Sequence, residues 1–271
     1  MIEFRSSKYR RNKGVNILKY DEIEYITKTL LQDYDDTYLK EPKALDVEDF
    51  ACNYLEASDV DYQYICNPLG KETILGATTF EDCNIEVFNK EKSTKEVYRY
   101  KKHSIILSRE LVEGTRTAQY GITGFHECGH LYLHKDYYSS MAGQISMNID
   151  SQKKMCTRSQ IEKFAKKNML TTQDWIEWQA TTFAATIALN ADSVAIAMND
   201  IMHRNGIKDN VIIEDDYANF EVVNNYIPAE LRDIFGISKE AIIYRLRKLG
   251  YYKTKASYET EKSQMTIYDF M

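Results

Sequence analysis

His126-Glu127-Cys128-Gly129-His130-Leu131-Tyr132-Leu133-His134 gathers three of the chain's five histidines, and its first five residues read H-E-x-x-H. On an α-helix, residues i and i+4 share one face about 6 Å apart along the axis, so two imidazoles can converge on one metal ion. Glu127 is rotated ~100° from His126, close enough to meet a water at that metal without displacing it. A shuffled chain of this composition would hold about 0.007 such motifs. The apolar neighbours Ile122, Phe125, Leu131 and Leu133 point to a helix packed into the core. Two imidazoles and a carboxylate buried there without partners would be costly, and a metal ion resolves that cost. The stretch therefore reads as the zinc helix of a zincin-like metallopeptidase.

Catalytic zinc takes three protein ligands and a water. A metzincin would need Gly at 133 and His at 136, where this chain has Leu133 and Asp136. His134 lies one turn beyond His130 on nearly the same face. A straight helix cannot wrap three successive turns around one ion, so His134 is expected behind the ligands or at the helix end. The third ligand is then a carboxylate from a separate helix. Glu177 is the leading candidate, in Trp175-Ile176-Glu177-Trp178-Gln179-Ala180-Thr181-Thr182-Phe183-Ala184-Ala185, with Asp174 and Asp192 as rivals on spacing alone. Ala180 and Ala184, at i+3 and i+7 from Glu177, form a small-residue stripe that permits a close helix–helix approach.

Outward from this centre the pattern is α+β. Ile23, Ile26, Leu30 and Leu31 recur at helical spacing and predict a helix over 20–34. Asp46 precedes an apolar-periodic run ending near Ala57 and reads as its cap. Residues 60–66 alternate as a strand. Asn67-Pro68-Leu69-Gly70 then reads as a turn into a hairpin partner at 74–80. Short strands follow at 85–88 and 103–107, separated by a Lys/Glu-rich loop at 90–102. The expected sheet is small, antiparallel and packed on helices. Further helices are expected over 115–133, 158–168, 171–190 and 191–204, with the polar stretch 137–157 as a surface insertion. Residues 205–227 read as irregular, and Pro228 opens a last helix pair near 229–235 and 239–249. The domain reading is a basic arm at 1–19, a catalytic domain at 20–204 and a helical C-terminal region with tail at 205–271.

H-E-C-G-H-L-Y-L-H and E-W-Q-A-T-T-F-A-A together resemble the two signature segments of the ImmA/IrrE family of metallopeptidases. Pro42–Tyr64 and Phe235–Gly250 are similar to the family's flanking regions, so the resemblance spans about 42–250, with strong motifs only at 126–134 and 177–185. Two departures stand out: Gly124-Phe125 before the first histidine, and a long spacer at 135–174. The resemblance implies a gluzincin-like Zn2+ site with His126, His130 and Glu177 as metal ligands and Glu127 as general base. It also implies peptide-bond hydrolysis of a protein substrate, with transcriptional repressors as the associated class. An oxyanion donor is expected, and a tyrosine or His203 could serve.

The 35 basic and 41 acidic residues give a net charge of −6, and the sequence pI is near 5.5. That balance argues against whole-protein binding to nucleic acid. The basic start (+5 over 1–19) precedes an acidic block (−10 over 21–61) and reads as a solvated terminus. Five widely spaced cysteines without a C-x-x-C pair fit reduced thiols in a cytoplasmic protein, with Cys128 as a small core residue. No stretch approaches 18 consecutive apolar residues, so no membrane partner is expected. Read alone, Leu231–Gly250 resembles a helix-turn-helix with a basic second helix carrying Arg245, Arg247 and Lys248. A DNA-binding regulator is therefore the alternative class, and a non-catalytic zinc-bearing interaction module is another.

Overall fold

A computed structural model describes residues 10–12, 14–66, 73–113, 116–142, 153–157, 171–207 and 210–268, and the fold is α+β. Within the expected N-terminal arm, the described part is a hairpin. β1 (Arg10–Asn12) pairs antiparallel with β2 (Val15–Ile17), and Val15 and Leu18 are buried. These two apolar residues hold a basic segment against the body. α1 (Tyr20–Asp35) follows as expected and buries Ile23, Ile26, Leu30 and Leu31. After the short α2 (Thr37–Lys40), Asp46 accepts from the Asp49 N–H to cap α3 (Val47–Asp49), which runs on as a π-helical turn at Phe50–Tyr54.

The sheet corrects the antiparallel expectation. Its strands are β3 (Asp59–Gln63), β4 (Ile74–Thr79), β7 (Ser104–Ser108) and β8 (Lys153–Thr157), in the order β3-β7-β4-β8. β5 (Cys83–Asn89) and β6 (Thr94–Tyr100) pair separately. β3 runs parallel to β7, whereas β4 is antiparallel to both β7 and β8. Thus β3 and β4 are not hairpin partners but flank β7. Every residue of β7 and β4 is buried. Such strands need neighbours on both edges and cover on both faces, so they take the two interior places. Alternation within 60–66 marks a strand without naming its partner. β6 occupies the stretch read as a Lys/Glu-rich loop. It is exposed almost throughout, and so shows no apolar stripe in the sequence. The turn expected at 67–70 lies outside the described residues.

α4 (Thr117–Ala142) carries the histidines and continues well past Leu133, because His134 and Tyr138 prolong its buried face. The polar stretch 137–157 is therefore more than a surface insertion: it opens with the last turns of α4 and closes with the edge strand β8. The helix expected over 158–168 lies outside the described residues. Thr171 and Asp174 form a reciprocal capping box at the start of α5 (Thr172–Ala188), and Asn190 caps α6 (Ala191–Arg204). The irregular reading of 205–227 holds only before Tyr217. After the two-residue strand β9 (Ile212–Ile213), Asp216 caps a 3-10 turn at Tyr217–Asn219, and a π-helical turn at Val222–Tyr226, with Val223 buried, runs directly into the next helix. α7 (Ile227–Phe235) has Pro228 in its first turn and ends at Gly236, whose φ of +68° is the left-handed cap that favours glycine. Ser238 caps α8 (Lys239–Lys248). β10 (Tyr252–Lys253) pairs parallel with β9, and α9 (Lys255–Tyr268) follows.

One apolar cluster joins Ile23 and Leu30 of α1, Leu75 and Ile105 of the sheet, Phe125 of α4, Phe183 of α5, and Leu231 and Leu246 of the C-terminal pair. The C-terminal helices thus share the core of the site-bearing helices. Arg245, 0% exposed, is fixed in this packing. Its guanidinium donates from Nε to the Leu189 carbonyl at 2.8 Å, and its other nitrogens donate to the Tyr20 hydroxyl and Glu24 Oε1. Arg247 pairs with Glu214 at 2.6 Å, and Lys248 lies over the Tyr20 and Tyr244 rings. Among the described residues no single helix is long and apolar enough to cross a membrane. The bent α5–α6 pair reaches that length and composition jointly, but most of its apolar residues are buried in the core.

Candidate metal centre

The site forms where α4 and α5 come close. A Cβ at Gly129 would stand 3.1 Å from both Ala180 Cα and Phe183 Cβ, so the glycine and the expected small-residue stripe set the spacing together. At that spacing His126, His130 and Glu177, all buried, bring one ligand atom each within 4.8 Å of one another. The two histidine Nε2 atoms are 3.0 Å apart. Glu177 Oε2 lies 3.4 Å from His126 Nε2, and Oε1 lies 3.7 Å from His130 Nε2. Ligands held ~2.0–2.1 Å from a tetrahedral ion lie roughly 3.3 Å from each other, so these separations bracket what a zinc-sized ion requires. The donors also suit a divalent cation: two imidazoles that can present lone pairs, and one carboxylate. The rival carboxylates are engaged elsewhere, Asp174 in the α5 cap and Asp192 in an exposed pair with Lys28 at 2.7 Å.

Each of the three residues is held from behind. His126 Nδ1 is 3.3 Å from Thr181 Oγ1, and Gln173 Nε2 donates to Glu177 Oε1 at 2.8 Å. His130 Nδ1 is 3.2 Å from His134 Nδ1, and His134 Nε2 is 3.3 Å from Gln179 Oε1. His134 is therefore outside the ligand group and directly behind it, as its position on the helix predicts. Burial, reinforced by the neighbouring His130, holds its pKa well below the ordinary imidazole value.

Glu127 points to the sheet. It is 0% exposed, and Thr78 Oγ1 donates to its Oε2 at 2.6 Å. Gly76, two residues earlier on the same face of β4, leaves the slot that the carboxylate fills. A Cβ there would be 2.6 Å from Oε1 and 2.9 Å from Cγ. Neither residue stands out in the sequence analysis, although a glycine inside an apolar strand is a signal of close approach. Cys128 is fully buried. Its thiol is pushed far above the usual range by burial and then by Glu127, so it remains a protonated core side chain.

Two groups were open as oxyanion donors. His203 sits exposed in the last turn of α6. Tyr138, by contrast, continues the i, i+4 series of His126, His130 and His134. Its ring stacks on Phe80 at 4.3 Å, and burial followed by the charge of Glu177 raises its pKa well above the ordinary phenol value. Ending the helix at 133 hides this residue from a sequence reading. No protein-family model matches the chain, and no curated protein or solved structure matches it.

Proposed function

We propose that the protein is a zinc-dependent endopeptidase of zincin type, related to the ImmA/IrrE metallopeptidases that its two motifs resemble. The observation that carries this reading is the buried convergence of His126, His130 and Glu177 with Glu127 at the adjoining helix position. These three residues would hold the ion. Bound there, zinc supplies Lewis-acid polarisation of the scissile carbonyl and lowers the pKa of a coordinated water to roughly 7. Glu127, anchored through Oε2 by Thr78, takes the attacking water's proton on its carboxylate and delivers it to the leaving amine nitrogen. General acid–base work of this kind is worth about 10²–10⁴ in rate. Tyr138 retains its phenolic proton and is the O–H donor this reading assigns to the developing oxyanion.

A protein substrate fits the sheet. β8, at the edge, pairs with β4 so that Cys156 lies opposite Gly76 and Lys154 opposite Thr78, beside the strand that holds Glu127. An extended peptide added outside β8 would gain main-chain hydrogen bonds as a further strand. His126, Glu127, His130 and Glu177 are at most 1% exposed, so the metal-binding groups lie beneath the surface that such a peptide would first meet. A transcriptional repressor is the substrate class that the resemblance brings.

The test compares wild type with Glu127→Gln for zinc content and for cleavage of candidate repressors. Both proteins should carry zinc and only the wild type should cut. Cleavage by Glu127→Gln would overturn the assigned role. Zinc without any cleavage in the wild type would leave a zinc-bearing interaction module.

A further inference from the structure

We infer that a hydrogen-bond relay anchored on the N-terminal hairpin, Asn16–Gln179–His134–His130, locks His130 in the tautomer that presents Nε2 to the metal. The relay starts at a group with no choice. The Asn16 carbonyl can only accept, and Gln179 Nε2 donates to it at 2.7 Å. That bond fixes the amide, so Gln179 Oε1 faces His134 Nε2 at 3.3 Å and demands a donor there. A neutral imidazole carries its proton on one nitrogen only. With the His134 proton on Nε2, its Nδ1 is an acceptor, 3.2 Å from His130 Nδ1. His130 must then carry its proton on Nδ1, which leaves the Nε2 lone pair directed at His126 and Glu177.

The anchor is flanked by buried residues. Val15, next to Asn16, packs with Phe80, Tyr138 and Ile176, and Leu18 is buried in the main core. His126 offers the contrast. Its Nδ1 meets the Thr181 hydroxyl, which can donate or accept and so imposes no tautomer. The two histidine ligands therefore meet different groups at Nδ1: His130 is fixed by a chain that ends more than one hundred residues away in sequence, whereas His126 faces a hydroxyl on the neighbouring helix.

This inference rests on the metal-site reading, and the test separates the two. In metal-free wild type, two-bond 1H–15N correlation should find the His130 proton on Nδ1. His134→Phe keeps a ring and removes the acceptor. Gln179→Met keeps the side-chain length and removes both hydrogen bonds. Both should shift the His130 proton toward Nε2 and weaken zinc binding in chelator competition by about 10–100-fold. His134→Asn, whose amide oxygen can replace Nδ1 as acceptor, should recover most of that loss, which a role in packing alone would not produce. Wild-type zinc affinity and an unchanged His130 tautomer in Gln179→Met and His134→Phe would overturn the relay and leave the metal site standing. Absence of zinc binding in the wild type would overturn both.

Discussion

The α4–α5 pair and the α7–α8 pair both set polar side chains into an otherwise apolar core, and they complete them in opposite ways. In the C-terminal pair one cation, Arg245, is answered by acceptors from the protein itself: the Leu189 carbonyl, the Tyr20 hydroxyl and Glu24. In the histidine pair, two imidazole Nε2 atoms and a carboxylate converge on a common point, an arrangement that a divalent cation completes. The direction in which the polar atoms aim, rather than their burial, separates a structural polar cluster from a ligand-binding one. Arg245 had looked like part of a DNA-reading surface, and its orientation makes it an internal brace.

Four measurements sharpen or break this contrast. The largest effect is expected for Glu177→Ala, which removes a ligand outright. Zinc affinity should fall by more than the ~100-fold that losing a group behind the ligands can cost. Near-wild-type affinity in chelator competition would remove Glu177 from the ligand set. Next, Gly76→Ala puts a methyl group into the slot of the Glu127 carboxylate and should lower the cleavage rate by on the order of 10²-fold. Zinc affinity should hardly change. Equal losses of both would mean that β4 supports the whole site rather than Glu127.

Arg245→Met should destabilise the fold by about 3 kcal/mol, read as a lower urea midpoint, because it leaves Glu24 and the Leu189 carbonyl without their donor. Glu24 keeps 25% side-chain exposure, so water moderates its share of the loss. A variant as stable as the wild type would show the brace to be dispensable. The smallest effect is expected with duplex DNA. Arg245 is internal, the exposed Arg247 is paired with Glu214 and the chain carries a net charge of −6, so no gel shift should appear even at low salt. A salt-sensitive shift would restore the regulator reading.

What could be read from the sequence follows from the range of each interaction. His126, Glu127 and His130 are set by one helix, so a local spacing predicts their shared region. The cap at Asp46 is likewise local. Spacing alone left Asp174 and Asp192 beside Glu177; the resemblance singled out Glu177, and the packing of Gly129 against Ala180 is what brings its helix to the histidines. Thr78, Gly76, Gln179 and Asn16 were not legible, because their roles depend on strands and helices far apart in the chain meeting at one place. The parallel pairing of β3 with β7 was hidden for the same reason: alternation reports which face is buried and says nothing about the neighbour. β6 was missed because an exposed hairpin strand carries little apolar signal.

By itself the sequence determined an α+β chain, the helices that bear the histidines and the glutamates, and two imidazoles on one helix face. Tertiary structure decided the mixed sheet, the meeting of Glu177 with those imidazoles, the slot that holds Glu127, and the inward turn of Arg245. The physical reason is that helical periodicity and capping act over about one to four residues. Convergence of donor atoms to within a few ångströms is set by packing between elements, which no single segment encodes.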